Sequence, residues 1–258
     1  MSVLLNPYRH GVAYDADALA YFAAMSVQPD DTRKGLLNTL IAGIKSDGDW
    51  TGLDWFCILA AHDSQAARLN ARNPAKSCTA TNSPTFTTDR GYTGDGSTSY
   101  LDLGEALNAA GNAYALNSGA AGVWANQQAA TAITRHLGVT SGSNVMITAR
   151  ANAGNETFQA NDGTADTSQA NPGTRTGHRA LSRTGSGIKR AFFNGVRVAD
   201  LTTASTSVPT ANVCVLRSAT VYTADRIAAF YTGSGLSDAA LGRLHSRLST
   251  FLTTIGAN

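Results

Sequence analysis

Charge is scarce in this sequence. Only 15% of its 258 residues are Asp, Glu, Lys or Arg, against about 25% in an average globular chain. The formal net charge is +2, which excludes a strongly basic nucleic-acid coat and an acidic disordered chain. Two charged types are nearly missing: there are four lysines against sixteen arginines, and the glutamates are Glu105 and Glu156 alone. Three cysteines are an odd number, so a complete disulfide framework is excluded. Cys57, within Trp-Phe-Cys-Ile-Leu, and Cys214, within Val-Cys-Val-Leu, read as small buried hydrophobes. Cys78, set among Ser, Thr and Ala, is the cysteine whose surroundings allow exposure and a reactive thiol. Long apolar runs are missing too. The longest, Trp55 to Ala61, is far short of the ~20 residues of a membrane span. The start, Met1-Ser2-Val3-Leu4-Leu5-Asn6-Pro7, lacks the basic segment of a secretory signal, so synthesis in the cytoplasm and no membrane insertion are expected.

The common catalytic patterns are also missing. No G-x-x-x-x-G-K-[ST] phosphate cradle, G-x-G-x-x-G turn, G-x-S-x-G elbow, H-E-x-x-H or C-x-x-C occurs. Glycoside hydrolysis needs two carboxylates across one bond. Glu105 and Glu156 stand in different surroundings, and the pair Asp95 and Asp162 lies in Gly-rich segments where Asp usually serves turns. His62-Asp63 are neighbours that point about 100° apart on a helix, so they read as a surface or capping pair. Asp162 and Asp166, with Asn155 and Asn161, offer oxygen ligands for Ca²⁺, but their spacing matches no EF-hand loop. The expectation is a chain without catalytic, metal or cofactor residues.

What replaces charge is Ala, Gly, Thr, Ser and Asn, a composition suited to dense packing against other protein. Up to about residue 75 the texture is helical. Asp15 to Met25 is an Ala-rich helix candidate. Pro29-Asp30-Asp31 opens another, with acids at the positive end of the helix dipole, and Leu37, Leu40, Ile41 and Ile44 form its apolar stripe. Asn73-Pro74 closes the region. From about 79 short β-like runs follow, separated by Gly, Asn, Asp and Ser: 85–87, 100–103, 121–124, 144–151, 156–160 and 178–183. Asn194-Gly195 between two such runs is a type I′ hairpin signal, because both turn residues need positive φ. A two-residue loop sets Phe193 opposite Val196, Phe192 opposite Arg197, and Lys189 opposite Asp200. Two more strands are expected near 213–217 and 226–232. Ser237 then caps a last helix with Leu241, Leu244, Leu248, Leu252 and Ile255 on one stripe and Gly256 at its end. The segment Gly163 to Gly177 is the candidate mobile loop. Arg175, Arg179, Arg183, Arg190 and Arg197 form a basic tract that reads as a solvated sheet face or a protein interface. Trp124, in Gly-Val-Trp-Ala, is the aromatic candidate for a sugar site but reads first as core.

The run Leu59-Ala60-Ala61-His62-Asp63-Ser64-Gln65-Ala66-Ala67-Arg68-Leu69-Asn70, then Asn73-Pro74, and the run from Asn82 to Gly96 together resemble tailed-bacteriophage and prophage virion proteins. The hairpin at Phe193-Asn194-Gly195 and the ending Ala228 to Ser237 resemble the concanavalin A-like (laminin G-like) jelly roll of that group. The resemblance covers about residues 14–110 and 178–256. It implies a mainly β chain: an N-terminal helical region, 1–78, then a jelly-roll β-sandwich with a terminal helix, 79–258. It also implies a non-enzymatic virion structural protein, a tail, fibre or capsid-surface component acting by repeated contacts with other virion proteins. Symmetric repetition favours a homo-oligomer, most naturally a trimer. The alternatives are a glycan-binding module for a host-surface receptor and, behind it, a polysaccharide depolymerase.

Overall fold

The computed structural model describes residues 13–130, 133–141, 145–150, 155–164, 166–168 and 173–258. The opening segment, both ends of the 144–151 run, Asn at 171 and its neighbours in the Gly163–Gly177 loop candidate lie partly or wholly outside the described residues. Four helices form: α1 (Ala16–Ala23), α2 (Asp31–Ser46), α3 (Ser64–Arg68) and α4 (Asp238–Thr254). Each starts on a short polar side chain that accepts a hydrogen bond from an otherwise unpaired N–H of the first turn. Asp15 accepts from Asp17 N, Asp30 from Arg33 N, Asp63 from Gln65 N and Ala66 N, and Ser237 from Ala240 N. The expected stripes are the buried ones: Leu37, Leu40, Ile41 and Ile44 on α2, and Leu241, Leu244, Leu248 and Leu252 on α4. Among the described residues no helix is long and apolar enough to cross a membrane.

Seventeen strands follow in the described residues. The first six are β1 (Leu53–Cys57), β2 (Thr79–Thr81), β3 (Thr85–Thr87), β4 (Gly91–Thr93), β5 (Tyr100–Ala106) and β6 (Gly119–Gln127). Next come β7 (Ile133–Val139), β8 (Val145–Arg150), β9 (Glu156–Ala160), β10 (Asp166–Ser168), β11 (Gly177–Gly185) and β12 (Ile188–Phe193). The last are β13 (Val196–Leu201), β14 (Asn212–Val215), β15 (Arg217–Ser218), β16 (Val221–Tyr222) and β17 (Arg226–Gly233). They build an eight-stranded sheet in the order β13-β12-β11-β6-β17-β4-β3, with β1 also paired to β17. A seven-stranded sheet runs β10-β9-β8-β7-β14-β5-β2, and β15 and β16 form a third. All described pairings are antiparallel.

The eight-stranded sheet is covered on both faces, which explains why its central strands read as continuous buried runs rather than alternating ones. On β11, Arg179 and Arg183 point to the seven-stranded sheet, where they meet Glu156 and Asp162. His178 and Ser182 point the other way. Ser182 Oγ donates to Leu236 O at 2.7 Å, and the His178 ring stacks near His245 of α4. Small residues allow this close layering. Gly122 of β6 leaves room for the Tyr231 ring, which a Cβ there would meet at 2.2 Å.

The expected concanavalin A-like jelly-roll sandwich is therefore corrected. The described residues form three sheets, of eight, seven and two strands, with a helical layer packed on the outer face of the largest. The physical reason is the small-residue content of β6 and β17, which lets one sheet pack on both sides. The helical texture read up to residue 75 also gives way in one place. Leu53–Cys57 pairs with Gly233–Phe230 as a strand of the large sheet. The Asn194-Gly195 hairpin forms with φ of 48° and 78°, and Phe193 faces Val196 and Phe192 faces Arg197 as its sequence predicts. Beyond Ala191 a bulge shifts the register, so Asp200 faces Arg190 instead of Lys189.

Candidate functional site

Where β6 ends, β11 begins and the β12–β13 hairpin turns, α4 crosses above and leaves a cleft of about 560 Å³. Trp124 forms its floor at 3% exposure. Its ring lies nearly parallel to His245 of α4, at 5.2 Å and 7°, and to His178 beneath, at 5.6 Å and 12°. Gly195 makes the approach of His245 possible, since a Cβ there would come within 2.8 Å of the His245 Cβ. Phe193 of the hairpin forms a half-buried wall, with the Arg179 guanidinium 5.0 Å from its ring centre.

Hydroxyls and amides complete the wall. Thr174 Oγ1 and Thr176 Oγ1 stand 2.8 Å apart, and Asn194, Ser249 and Asn258 line the rim. Asn194 Oδ1 accepts from His178 N at 2.9 Å, which fixes which end of that amide faces the backbone. Asn126 is engaged structurally, donating to Arg90 O and Ala257 O and accepting from Arg226 Nε. Burial, then the charges of His245 and Arg179, push the His178 imidazole down to about 3, and burial lowers His245 as well. Both rings are neutral at physiological pH. A neutral aromatic floor with convergent hydroxyl and amide groups is the chemistry of a site that binds a polar, uncharged face by stacking and hydrogen bonding.

The inner face of β11 is different in kind. Arg175, Arg179 and Arg183 are fully buried, and each meets a carboxylate: Asp225, Glu156 and Asp162 in turn. Lys189 also lies on Asp162 and on Asp166, the latter at 2.9 Å. His136 Nε2 reaches Asp225 at 2.8 Å. Burial pushes the Asp225 carboxyl up, but His136 and Arg175 outweigh it and hold it well below the usual carboxylate range. These charges are closed on one another inside the protein.

The sequence candidates are scattered by this arrangement. The basic tract is not a solvated face: Arg175, Arg179 and Arg183 are interior, while Arg190 and Arg197 pair with Asp238 at the start of α4. Cys78 is buried, as are Cys57 and Cys214. Of the oxygen set weighed for Ca²⁺, Asp162 and Asp166 carry Lys189 between them, and Asn161 donates to Ala115 O and Leu116 O. Among the described residues no three His, Cys, Asp or Glu converge. Asp95 organises its own turn, accepting from Ser97, Thr98 and Ser99 N, which holds its carboxyl below the usual range. His62 Nε2 meets Val27 O while Asp63 caps α3. Trp124 alone among the candidates lies at the cleft. Phe193, His245, Thr174 and Thr176 were missed as site residues; the signal available for them was the hairpin that carries Phe193.

No protein-family model matches the chain, and no curated protein matches it in sequence. Solved structures do match in fold. The Trypanosoma rangeli sialidase in complex with sialic acid superposes with a TM-score of 0.57 at 9% identity, over 84% of this chain and 39% of that one. The same sialidase as a covalent intermediate with 2,3-difluorosialic acid gives 0.56 at 8% identity, over 84% and 39%. The ligand binding domain of Botulinum neurotoxin serotype D in complex with N-acetylneuraminic acid gives 0.55 at 9% identity, over 79% and 52%. The chain thus spans about two fifths to one half of these proteins. The fold is shared with these sialidase and toxin ligand-binding-domain structures, which corrects the resemblance to phage virion proteins and the structural virion role drawn from it. An enzyme stands among the structures of like fold, so this fold does not support the expectation of a non-enzymatic chain, which is corrected with it.

Proposed function

We propose that this chain recognises carbohydrate, with the cleft over Trp124 as its glycan site. One observation carries the reading: aromatic rings, paired hydroxyls and side-chain amides converge on a single cleft of about 560 Å³. Sugars present both an apolar C–H face and a hydroxyl edge, and such a wall meets both. The likeness in fold to structures solved with a bound sugar supports a carbohydrate ligand in general. Screening the chain on a glycan array and titrating the hits by calorimetry tests the reading. Phe193→Ala should weaken the best hit about tenfold, which corresponds to ~1.4 kcal/mol, with the folded circular-dichroism spectrum kept. Unchanged affinity in that variant, or no hit at millimolar sugar, would sink it.

A second reading, carbohydrate processing, draws on the likeness to a sialidase trapped as a covalent intermediate. Glycosidic cleavage generally needs acidic groups flanking the bond, and the described lining of the cleft is hydroxyl, amide and aromatic. Binding therefore ranks ahead of cleavage. Release of reducing ends from an array hit by the purified chain would reverse that order.

A further inference from the structure

We infer that the cleft selects uncharged saccharides and discriminates against the sialylated or uronic versions of the same chains. The inference rests on the carbohydrate reading above and concerns which sugars that site takes. Each of the eleven described lining side chains is of a neutral type at physiological pH, the one titratable side chain being His245. His245 lies half-buried against Trp124 and His178, a setting that disfavours a second ring proton.

The nearby cations are already committed. Arg179, under the Phe193 ring, donates through Nε to Glu156 Oε1 at 2.7 Å and through its terminal nitrogens to Arg175 O, Thr176 O and Thr174 O. Arg226 Nε donates to Asn126 Oδ1 at 2.9 Å. Arg90 donates to Asp89 O and Ile255 O. A carboxylate entering this cleft would lose water and meet no cationic side chain among the described lining residues, which is strongly unfavourable. A neutral hydroxylated ring loses water too, but Thr174, Thr176 and Asn194 replace those hydrogen bonds, and Phe193 takes the apolar face. The interior of the protein, by contrast, holds its guanidiniums locked on its own carboxylates, so none is available to be turned outward without unpairing a buried acid.

The test uses matched pairs: neutral oligosaccharides, lactose among them, against the same chains carrying a sialyl or uronic group, titrated by calorimetry on the whole chain. The neutral member should bind at least about tenfold tighter. Its Kd should stay within about twofold between low and high salt, because no ion pair is screened. Ser249→Lys, at a half-buried position of α4 on the rim, places a cation there and should narrow the gap by raising affinity for the charged member. Equal or tighter binding of the charged member, with that binding lost in Phe193→Ala, overturns the selectivity and leaves the cleft as the glycan site. No binding of either member overturns both this inference and the carbohydrate reading.

Discussion

The two faces of β11 hold the same few angstroms of backbone between opposite environments. One face carries Arg179 and Arg183 into a closed network of acids and bases at essentially zero exposure. The other carries His178, Ala180 and Ser182 under α4, where contacts are neutral, aromatic and close. Charge in the interior is therefore a matter of stability, because every guanidinium there is held by a partner. The neutral face is where the surface opens into a cleft. Ion pairing and neutral packing are divided between alternate residues of one strand.

The largest blow to this contrast should come from the charged face. Arg179→Met leaves Glu156 without its guanidinium in a dry site, and should cost about 3–5 kcal/mol in urea unfolding. Pairing it with Glu156→Leu should restore much of the loss, since the penalty lies in an uncompensated charge more than in the absent pair. If Arg179→Met is as stable as the wild type, the network is not holding the two sheets together.

The neutral face should answer to pH instead. His178 titrates at about 3 in the fold against 6.5 when unfolded. The unfolded chain therefore binds the proton first. The stability that goes with the neutral ring is fully present above pH 6.5 and is lost as pH falls from there towards 3. The slope contributed is up to ~1.4 kcal/mol per pH unit. Urea midpoints between pH 4 and 7 should show it, and His178→Gln should flatten that part of the profile. An unchanged profile in the variant would mean that other groups set the acid limb.

Packing on the same face gives a smaller effect. Gly122→Ala drives a methyl into the Tyr231 ring, and about 1–3 kcal/mol should be lost, readable as a lower thermal midpoint. Smallest of all should be Arg197→Ala. Its side chain is 43% exposed and bridges Asp200 and Asp238 at 3.5 and 3.2 Å, so its removal should move stability by no more than ~0.5 kcal/mol. A large loss there would erase the distinction between interior and peripheral ion pairs.

Local features of this fold were legible because they are written in neighbouring residues. Asn194-Gly195 needs positive φ at both positions, and nothing but a tight turn supplies it. The stripes of α2 and α4 repeat at helical spacing and are the faces buried. What stayed hidden depends on distant partners. Arg175, Arg179 and Arg183 look like solvated residues until Asp225, Glu156 and Asp162 arrive from other strands. Trp55-Phe56-Cys57 is apolar on both sides, and a short run buried on both faces reads as well for helix as for strand. The cleft is assembled from the 124–126, 174–177, 193–194 and 245–258 stretches, whose meeting no single motif announces. Trp124 was the aromatic candidate for a sugar site, and its place in the strand-like Gly-Val-Trp-Ala run made core the first assignment.

The place of β17 sets the order in which the molecule can be assembled. It lies inside the eight-stranded sheet, with β6 along one edge and with β4 and β1 end to end along the other. Cys57 pairs with Phe230 across about two thirds of the chain, so one of the sheet's seams joins its earliest and latest strands. A nascent chain lacking its last thirty or so residues has the β13-β12-β11-β6 block, the β4-β3 pair and β1 with open edges and no strand of this sheet to join them. Such long-range closure is slow, and until β17 emerges those unpaired edges are available for association with other chains. Production of this protein should thus be governed by how fast its final segment is delivered.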